Sequence, residues 1–461
     1  MNVIIIGGGV GGLCLAHGLR RAGIGVRVYE KGPKRSDPHW LQGYQIHINP
    51  NGAQALQQCL PPSLWAKLLA NACMPSAAFQ VLTEQMNIVA VVEAELMNGS
   101  SHVPIVRTVL RRMLLDGLDD VVLFGKEFVR YERTGGSVTA TFRDGTSEVG
   151  DVLVGADGTR SNVRKQYLPN ALISNSGMVG AACRVPLTPA IGSRLPEHLS
   201  TRLTSIVPGV SGYMIVTQSR YKPTVERVND EMGDHLIWVF ISSRSIYGDL
   251  DPRAMDGASI QRLVLRNMHT WHPALRQLVG DSDAEHVAAV PVLTSTPISR
   301  WEPSNVTLLG DAIHTMTPLQ GLGGSTALRD AGMLCRNLVE AAHGTRTIIE
   351  AVDDYERAMV DYGVPRRPAL VTVWKAGCLR QLAVAHGVQD GSARRHASAA
   401  PQTNGVSFRQ WVVNADTRLR LKTGISTVKS IPSRLYNFVS TFSGTHLVTP
   451  WAVQIQVTVP F

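Results

Sequence analysis

The chain has 461 residues, of which 44% are hydrophobic and 18% charged, and it carries a net charge of +9. This length suffices for about three domain-sized units with a large core, and the composition excludes a disordered chain. A positive balance permits nucleic-acid, membrane or anionic-ligand partners, so its distribution matters more than its size. Residues 408–461 hold six basic residues and one acid, which makes +5 of the total.

The N-terminus and the cysteines indicate the compartment. Met1 leads directly into the apolar run Val3–Ile6, without the basic segment and cleavage site of a signal peptide. No apolar stretch approaches the roughly 18 residues that a membrane-spanning helix needs. The six cysteines form no CxxC pair and have no histidine at metal-ligand spacing, which favours reduced, buried thiols. We therefore expect a cytoplasmic protein without a metal site.

The first thirty residues predict a strand, a turn, a helix and a second strand. Val3–Ile6 is typical of a strand buried on both faces, and a helix follows to about Ala22. The second strand runs from Val26 to Glu30. Such a βαβ unit predicts a parallel sheet.

The turn of this unit reads Gly7-Gly8-Gly9-Val10-Gly11-Gly12, a GxGxxG motif. Gly7 permits the tight turn, Gly9 lets the backbone approach a pyrophosphate, and Gly12 lets the helix pack closely on the strand. Glu30 follows Gly12 at the distance where a carboxylate can accept hydrogen bonds from ribose hydroxyls. The motif predicts a dinucleotide site but does not distinguish FAD from NAD.

Further along the chain, segments typical of buried parallel strands alternate with segments typical of antiparallel strands. The remaining predicted elements are a β-hairpin of residues 121–133 and 137–146, a buried strand Asp151–Gly155, a largely antiparallel sheet within 176–290, a parallel-style strand Val306–Leu309, a helix within 320–342 and one or two helices within 347–380.

The segment Asp151–Arg164 resembles the Asp-Gly motif of class A flavoprotein monooxygenases, the family of para-hydroxybenzoate and salicylate hydroxylases. In that family the segment, here containing Asp157, helps to hold both the flavin and the nicotinamide cofactor. Ser161 is placed to cap a helix. Arg160 and Arg164 are candidate partners for a phosphate of NAD(P)H, with ordinary solvated charges as the alternative.

A second resemblance to the same family starts at Gly310-Asp311-Ala312-Ile313-His314, which is similar to its Gly-Asp motif. In the family this aspartate, here Asp311, hydrogen-bonds a ribityl hydroxyl of the flavin. His314 belongs to the local pattern, and we expect it to be structural and not catalytic.

The glycine-rich turn that follows contains Gly323 and Gly324. In the family it begins a helix whose N-terminus faces the flavin, where the helix dipole favours negative charge on the reduced ring. Family members often have Asn where this chain has Ser325, which predicts an altered contact near the ring.

Two weaker elements complete the resemblance, which covers about residues 1–345. Arg107 lies in an Arg-x-x-Leu element whose arginine contacts FAD in the family. Gly43 begins a segment that resembles the loop in which the flavin can swing. The family implies FAD as cofactor and NAD(P)H and O2 as co-substrates.

The resemblance implies an α/β fold: a doubly wound parallel FAD-binding sheet, an inserted antiparallel substrate domain and a helical C-terminal part. We assign residues 1–75, 100–175 and 290–345 to a discontinuous FAD-binding domain, 76–99 and 176–289 to the substrate domain, 346–386 to C-terminal helices, 387–407 to a flexible link and 408–461 to a basic extension.

Residues on the substrate side are less evident. Arg184 matches the position of an arginine with which some fungal phenol hydroxylases hold a phenolate, and a guanidinium there would activate the ring carbon. Tyr213 is a candidate second contact. The alternative is that both are ordinary sheet residues. Trp238 and Trp271 are expected to be core.

These observations favour an FAD-dependent monooxygenase that inserts one oxygen atom, by hydroxylation or epoxidation, into a small aromatic or unsaturated secondary metabolite. The alternative is a flavin reductase or oxidase that transfers hydride, because the fold alone does not separate the two. A halogenase signature is absent from the sequence. No nucleic-acid module is recognisable, and the basic extension is either a solvated tail or a surface for anionic lipid.

Overall fold

A computed structural model describes residues 1–34, 43–93, 102–208, 212–222, 233–317 and 321–363. The predicted link 387–407, the basic extension 408–461 and the second half of the predicted C-terminal helices lie outside these residues. The predictions made for them therefore stay predictions.

The described part contains seventeen strands and eleven α-helices. The strands are β1 Asn2–Ile6, β2 Gly25–Glu30, β3 Gln45–Ile48, β4 Ala78–Leu82, β5 Ile88–Glu93, β6 Val103–Val106, β7 Val122–Phe124, β8 Phe128–Thr134, β9 Ser137–Phe142, β10 Ser147–Gly150, β11 Val152–Gly155, β12 Ile173–Pro186, β13 Leu203–Ile206, β14 Tyr213–Ser219, β15 His235–Ser243, β16 Val287–Ser295 and β17 Val306–Leu308. The helices are α1 Val10–Arg21, α2 Pro50–Cys59, α3 Pro62–Ala70, α4 Arg107–Leu115, α5 Asn162–Tyr167, α6 Pro189–Gly192, α7 Glu197–Thr201, α8 Gly257–Asn267, α9 Pro273–Gly280, α10 Gly323–Ala342 and α11 Ile348–Gly363.

A five-stranded parallel sheet has the order β17-β11-β1-β2-β7. Its centre is β1, where Ile5 pairs with Val154 of β11 on one side and Val28 of β2 on the other. All three side chains are fully buried, because α1 packs against this sheet and the antiparallel strands β9 and β10 also contact it. The predicted βαβ unit and the two later parallel strands are thereby confirmed.

The predicted hairpin was partly wrong. Its first residues form β7, which pairs with β2 in the parallel sheet, and Gly125, with φ of +72°, separates β7 from the strand that follows. The hairpin proper is β8 and β9, with Gly135 and Gly136 between them, and β10 joins it in a three-stranded antiparallel sheet. An apolar run alone could not show which sheet its residues join.

A seven-stranded sheet has the order β16-β12-β15-β14-β13-β4-β5. It is antiparallel except where β13 pairs with β4, and it combines strands from both predicted segments of the substrate domain. Strand β16 continues to Ser295, beyond the predicted boundary at 289.

One face of the seven-stranded sheet is covered by α8 and α9. Trp238 and Trp271 lie in this core, as predicted, and are 0% and 4% exposed. The rings of Phe240 and Trp271 meet edge to face with centroids 5.8 Å apart, an arrangement that aromatic pairs favour. Side chains alternate along a strand, so the intervening residues point to the opposite face.

Helices α1, α2 and α10 pack together beside the parallel sheet. The predicted apolar face of α10 (Leu328, Ala331, Leu334 and Leu338) is fully buried. Small residues permit the close packing, since a Cβ on Gly332 would lie 2.8 Å from Ala55 Cβ. The five cysteines of the described part are all buried thiols, as predicted.

None of the helices within the described ranges combines the length and the apolar character needed to cross a bilayer. Nor do the histidines, cysteines and acids of those ranges come together as a metal-binding group.

Candidate active site

The sequence motifs meet at one edge of the parallel sheet. Strands β1, β2, β11 and β17 run in the same direction, so their carboxyl ends lie side by side. Gly7, Glu30, Asp157 and Asp311 stand at or just after these ends. We call this group the carboxyl edge, and ligands of open α/β sheets bind at such an edge.

Backbone packing requires two of the three motif glycines. Gly7 has φ of +113°, which side chains disfavour, and a Cβ there would overlap the carbonyl oxygen of Ala156. A Cβ on Gly12 would overlap the carbonyl oxygen of Gly7. Gly9 differs, because no described atom lies within 4 Å of its would-be Cβ. This opening fits a phosphate group close to the backbone.

Two long helices begin at the carboxyl edge without a side-chain cap. Neither α1, after Gly9, nor α10, after Leu322, has a capping side chain or an acid in its first turn. In contrast, Asn49 caps α2 and Asp256 caps α8. Uncapped N-termini keep free N–H groups and a positive dipole end for an anion. Both ends therefore fit the negative groups of a dinucleotide.

Glu30 is held by backbone donors. Its Oε2 accepts from Gly8 N and its Oε1 from Gly32 N, each at 2.8 Å. Arg111 lies alongside, with Nη2 3.8 Å from Glu30 Oε2 and with Nε donating to Gly8 O at 2.8 Å. A carboxylate oxygen can accept more than one hydrogen bond, so Glu30 can still receive ribose hydroxyls. The sequence analysis missed Arg111, which lies one helical turn after Arg107.

Asp157 has a local role as well as the predicted one. Its Oδ2 accepts from Asn162 N at 2.8 Å and so holds the start of α5, which Ser161 caps as predicted. The other oxygen, Oδ1, is buried and has no hydrogen-bond partner among the described residues. Burial raises the pKa of Asp157. The unsatisfied oxygen is free to accept from a ligand.

Arg164 does not have the role that the sequence suggested. It is 4% exposed, and its guanidinium donates to Ala312 O at 2.7 Å and to Thr159 O at 3.1 Å. It therefore joins the Asp-Gly segment to the Gly-Asp segment, and it is neither a free partner for a phosphate nor a solvated charge. Arg160 is exposed and keeps its predicted role as a candidate.

Asp311 opens onto the cleft beside the start of α10. It follows Gly310, whose φ is +61°, and a Cβ on Gly323 would lie 3.8 Å from Asp311 Oδ1. Asp311 is exposed to solvent, yet nearby protein atoms reduce the hydration of its carboxyl group. This desolvation raises the pKa of Asp311, while His314 and Arg107 favour its charged form. The structure thus brings Asp311 and Gly323 together, as the motif predicted.

Tyr44 was not singled out from the sequence, although it follows Gly43. Its side chain is 43% exposed, and its carbonyl accepts from Arg107 N at 3.0 Å. Desolvation raises the pKa of the Tyr44 hydroxyl, the Arg107 charge opposes this, and Asp311 adds to it. Tyr44 and Arg107 are therefore in contact through their backbones, and Asp311 lies near enough for its charge to act on the Tyr44 hydroxyl.

Ser325, where the family often has Asn, ties α10 to a neighbouring segment. Its hydroxyl accepts from Asn49 N at 3.0 Å and donates to His47 O at 3.2 Å. Gly324 lies nearby, since its would-be Cβ is 3.5 Å from Ile46 Cδ1. Ser325, which departs from the family pattern, therefore makes hydrogen bonds to the segment that contains His47 and Asn49.

The other side of the seven-stranded sheet contacts the FAD-binding region through β3. We call it the cleft face, defined by Ala182, Arg184, Tyr213, Ile215, Thr217, Ile237 and Val239, which alternate with the core residues under α8 and α9. Thr217 donates to Gln45 Oε1 of β3 at 3.3 Å. Arg184 lies beside His235, whose pKa is lowered by burial and also by the Arg184 charge. The sequence analysis missed His235.

Arg184 and Tyr213 share the cleft face but stand apart. Arg184 is level with Ile237 of β15, whereas Tyr213 is level with Ile241. The Cα atoms are four residues apart along the strands, which is about 13 Å, and two strands apart across the sheet, which is about 10 Å. Their separation is therefore about 16 Å. Tyr213 OH lies 2.9 Å from Ser205 Oγ. This separation is between Cα atoms, and the Tyr213 hydroxyl points to β13, away from Arg184. In this arrangement the two side chains do not meet at one group of a small ligand.

The chain matches a family model described as the FAD binding domain over residues 1–221 and 266–360. It is 31% identical to a dual O-methyltransferase/FAD-dependent monooxygenase of Cercospora beticola, over 81% of this chain and 45% of that protein. It is 25% identical to 6-hydroxynicotinate 3-monooxygenase of Pseudomonas fluorescens, over 77% of this chain and 87% of that protein. The chain spans less than half the length of the fungal relative.

Solved structures show the same architecture. A protein of Photorhabdus luminescens, provisionally assigned as an FAD-containing monooxygenase, superposes with a TM-score of 0.71 at 36% identity, covering 84% of this chain and 99% of its own. HpxO of Klebsiella pneumoniae, solved with FAD and uric acid, superposes with a TM-score of 0.65 at 24% identity, covering 92% and 94%. The second likeness supports the fold alone.

Proposed function

Because the chain belongs to the FAD-binding family that includes FAD-dependent monooxygenases, we propose that it inserts one atom of O2 into a small organic molecule at the expense of NAD(P)H. The observation that carries this proposal is the position of Asp311 and the uncapped start of α10, which stand at the carboxyl edge beside Tyr44 and Arg107. The cleft face closes the same region through Thr217 and Gln45.

The residues at the carboxyl edge fit FAD part by part. The open position at Gly9 and the free N–H groups of α1 suit the pyrophosphate, and Glu30 suits a ribose. Asp311 and the unsatisfied Oδ1 of Asp157 can accept hydrogen bonds from hydroxyl groups of the cofactor. The dipole of α10 favours negative charge on a reduced ring. When bound, FAD supplies the reduction and activation of O2.

The cleft face supplies the groups for the substrate. We propose that Arg184 binds an oxyanion such as a phenolate, since guanidinium recognises such anions through charge-assisted hydrogen bonds. Tyr213, about 16 Å away, would contact a different part of a larger substrate or none of a small one. The intervening residues Ile237 and Val239 are apolar, which suits an aromatic or unsaturated skeleton.

The relatives support this substrate class. Their names include a hydroxylating enzyme for 6-hydroxynicotinate, a plant zeaxanthin epoxidase and fungal FAD-dependent monooxygenases. We propose hydroxylation or epoxidation of an aromatic or unsaturated secondary metabolite. We propose NADPH as the reductant, with Arg160 as the partner of its phosphate, since Arg164 is engaged within the protein.

The basic extension 408–461 is a separate proposal about location. Its charge supports contact of a cytoplasmic protein with anionic lipid, with a solvated tail as the alternative. Sedimentation with vesicles of phosphatidylcholine and phosphatidylserine would test it. The full chain should pellet with the vesicles at low salt, and removal of 408–461 should abolish this, whereas equal pelleting of both forms would contradict the proposal.

The proposed reaction is tested by product mass. Purified protein, FAD, NADPH and air are mixed with a panel of phenols and polyunsaturated terpenoids. We expect one panel member to gain one oxygen atom, and Asp311→Ala to abolish the gain. A product that differs only by two hydrogens would instead identify a hydride-transferring flavin enzyme. A bound FAD that stays oxidised with NADPH would indicate a non-catalytic binding protein.

A further inference from the structure

Asp330 is a buried carboxylate in the middle of α10. It is 0% exposed, so its side chain does not contact solvent. Its Oδ2 accepts from Gly310 N at 2.7 Å and from His314 Nε2 at 2.6 Å, and its Oδ1 accepts from Tyr362 OH at 2.6 Å. A buried carboxylate is costly unless such donors satisfy it. The segments that these three hydrogen bonds connect therefore indicate what Asp330 does.

The partners belong to two segments, the loop that contains Asp311 and the end of α11. Gly310 forms the left-handed turn immediately before Asp311, and His314 ends the same loop. Tyr362 lies at the end of α11, and its ring is covered by the Arg329 guanidinium, 3.7 Å from ring centroid to Cζ. The Asp330 carboxylate is thus the common acceptor that fixes the Asp311 loop to two helices.

The charges of Asp330, His314 and Asp311 also favour this arrangement of the loop. Burial alone would lower the pKa of His314, but the Asp330 carboxylate opposes this, and the pKa is raised overall. When protonated, His314 in turn favours the ionised form of Asp311. The contact between His314 and Asp330 fits the structural role that the sequence suggested.

We propose that Asp330 is a positioning residue for FAD: through its bonds to Gly310 and His314 it keeps the Asp311 carboxylate in place at the carboxyl edge. Asp330 does not touch the cofactor. The proposal requires that FAD binds at this edge, and it does not depend on which reaction follows.

The test is a double-mutant cycle on FAD affinity, measured by quenching of flavin fluorescence in the full chain. Asp330→Asn keeps the shape but loses the charge, and we expect the Kd for FAD to rise about tenfold. Asp311→Ala should raise it by at least as much. Because Asp330 acts through Asp311, the double variant should bind FAD no more weakly than Asp311→Ala alone.

A matched control is Glu356→Gln. Glu356 is also a buried acid, 4% exposed, and it accepts from Oγ1 of Thr307 on β17 at 2.8 Å. Its replacement by Gln should leave the Kd for FAD within about twofold of the wild type, since Glu356 does not hold the Asp311 loop. An equal loss in this control would show a general effect of replacing buried acids and would overturn the proposal.

A spectroscopic readout separates positioning from stability. At saturating FAD, the visible circular dichroism of the bound flavin should change in Asp330→Asn to the form seen in Asp311→Ala. Additive losses in the cycle, or an unchanged Kd in Asp330→Asn, would overturn the proposal. If Asp330→Asn fails to fold, His314→Gln replaces it in the same cycle. That variant keeps a donor to Asp330, should weaken FAD about threefold and should again be non-additive with Asp311→Ala.

Discussion

The carboxyl edge and the cleft face differ in which parts of the chain form them. At the edge, the groups that we propose for FAD depend on the backbone: helix N-termini without caps, a glycine with open space and a carboxylate held by backbone N–H donors. On the cleft face, side chains of a regular sheet provide the chemistry, and the backbone is occupied by strand pairing. Backbone sites demand particular residues, whereas a strand accepts almost any side chain on its open face.

The difference teaches why a sequence motif identifies a cofactor sooner than a substrate. Only glycine satisfies the φ of +113° at Gly7 and the contact at Gly12. Nothing comparable constrains Arg184 or Tyr213. The predictions below test whether the two regions are separable, from the largest expected effect to the smallest.

Gly7→Ala should have the largest effect, because its Cβ would overlap the carbonyl oxygen of Ala156 in a backbone conformation that alanine disfavours. We expect the free energy of unfolding of the FAD-free protein to fall by about 3 kcal/mol or more. Urea denaturation followed by circular dichroism measures this. A variant as stable as the wild type would show that the turn is not set by Gly7.

Arg184→Met should reduce kcat/KM for the oxygenated substrate by about tenfold to a hundredfold, since a charge-assisted hydrogen bond is lost. The Kd for FAD should stay within about twofold of the wild type because the cleft face does not bind the cofactor. Steady-state kinetics and FAD titration on the same preparation check both. Weaker FAD binding with unchanged kcat/KM would reverse the roles of the two regions.

Gly9→Ala is the matched partner of Gly7→Ala. Its would-be Cβ meets open space and its backbone is extended, with φ of −79°. The FAD-free protein should lose no more than about 1 kcal/mol of stability, the cost of a poorer helix cap. The Kd for FAD should nevertheless rise about tenfold, because the methyl group enters the phosphate space. Unaltered FAD affinity in this variant would move the pyrophosphate away from Gly9.

Glu356 should make the stability of the protein depend on pH without changing its affinity for FAD. Burial raises its pKa from 4.5 to about 8, so the folded protein keeps a proton that the unfolded chain releases. The contribution of Glu356 is therefore fully present below pH 4.5 and is lost as the pH rises towards 8. The Tm of the wild type should fall by a few degrees relative to Glu356→Gln between about pH 5 and pH 8. Parallel Tm curves would contradict this.

Tyr213→Phe should have the smallest effect. The hydroxyl bonds Ser205 at 2.9 Å, and a typical hydrogen bond contributes about 1 kcal/mol. Because Tyr213 stands about 16 Å from Arg184, we expect kcat/KM for a single-ring substrate to change less than threefold. A loss as large as that in Arg184→Met would mean that the substrate reaches both residues.

The sequence predicted the parts that depend on local backbone geometry. The βαβ unit, the two later motif strands, the helix α10 and the antiparallel character of the second sheet follow from periodicity and glycine positions. It could not predict partners distant in sequence. Arg164 looked like a surface charge, yet it donates to Ala312, 148 residues later. Tyr44, Arg111 and Asp330 lie in segments that resemble the family's motifs, but their contacts with residues distant in sequence could not be predicted.

The sheet boundaries show the same limit. The residues of β7 have the apolar character of a hairpin strand, and only the tertiary fold places them beside β2. Arg184 and Tyr213 could be named as candidates, but their separation follows from the register of three strands. Register is decided by packing of the whole sheet, so a site built on it is beyond reading from the sequence.

The most direct test of the proposed reaction is an isotope measurement. The full chain, loaded with FAD, is supplied with NADPH, the responding substrate and 18O2 in ordinary water, and the product is weighed by mass spectrometry. We predict one 18O atom in each product molecule, in step with one NADPH consumed. A product that carries oxygen from water, or that has only lost two hydrogens while 18O2 leaves as peroxide, would contradict the assignment as a monooxygenase.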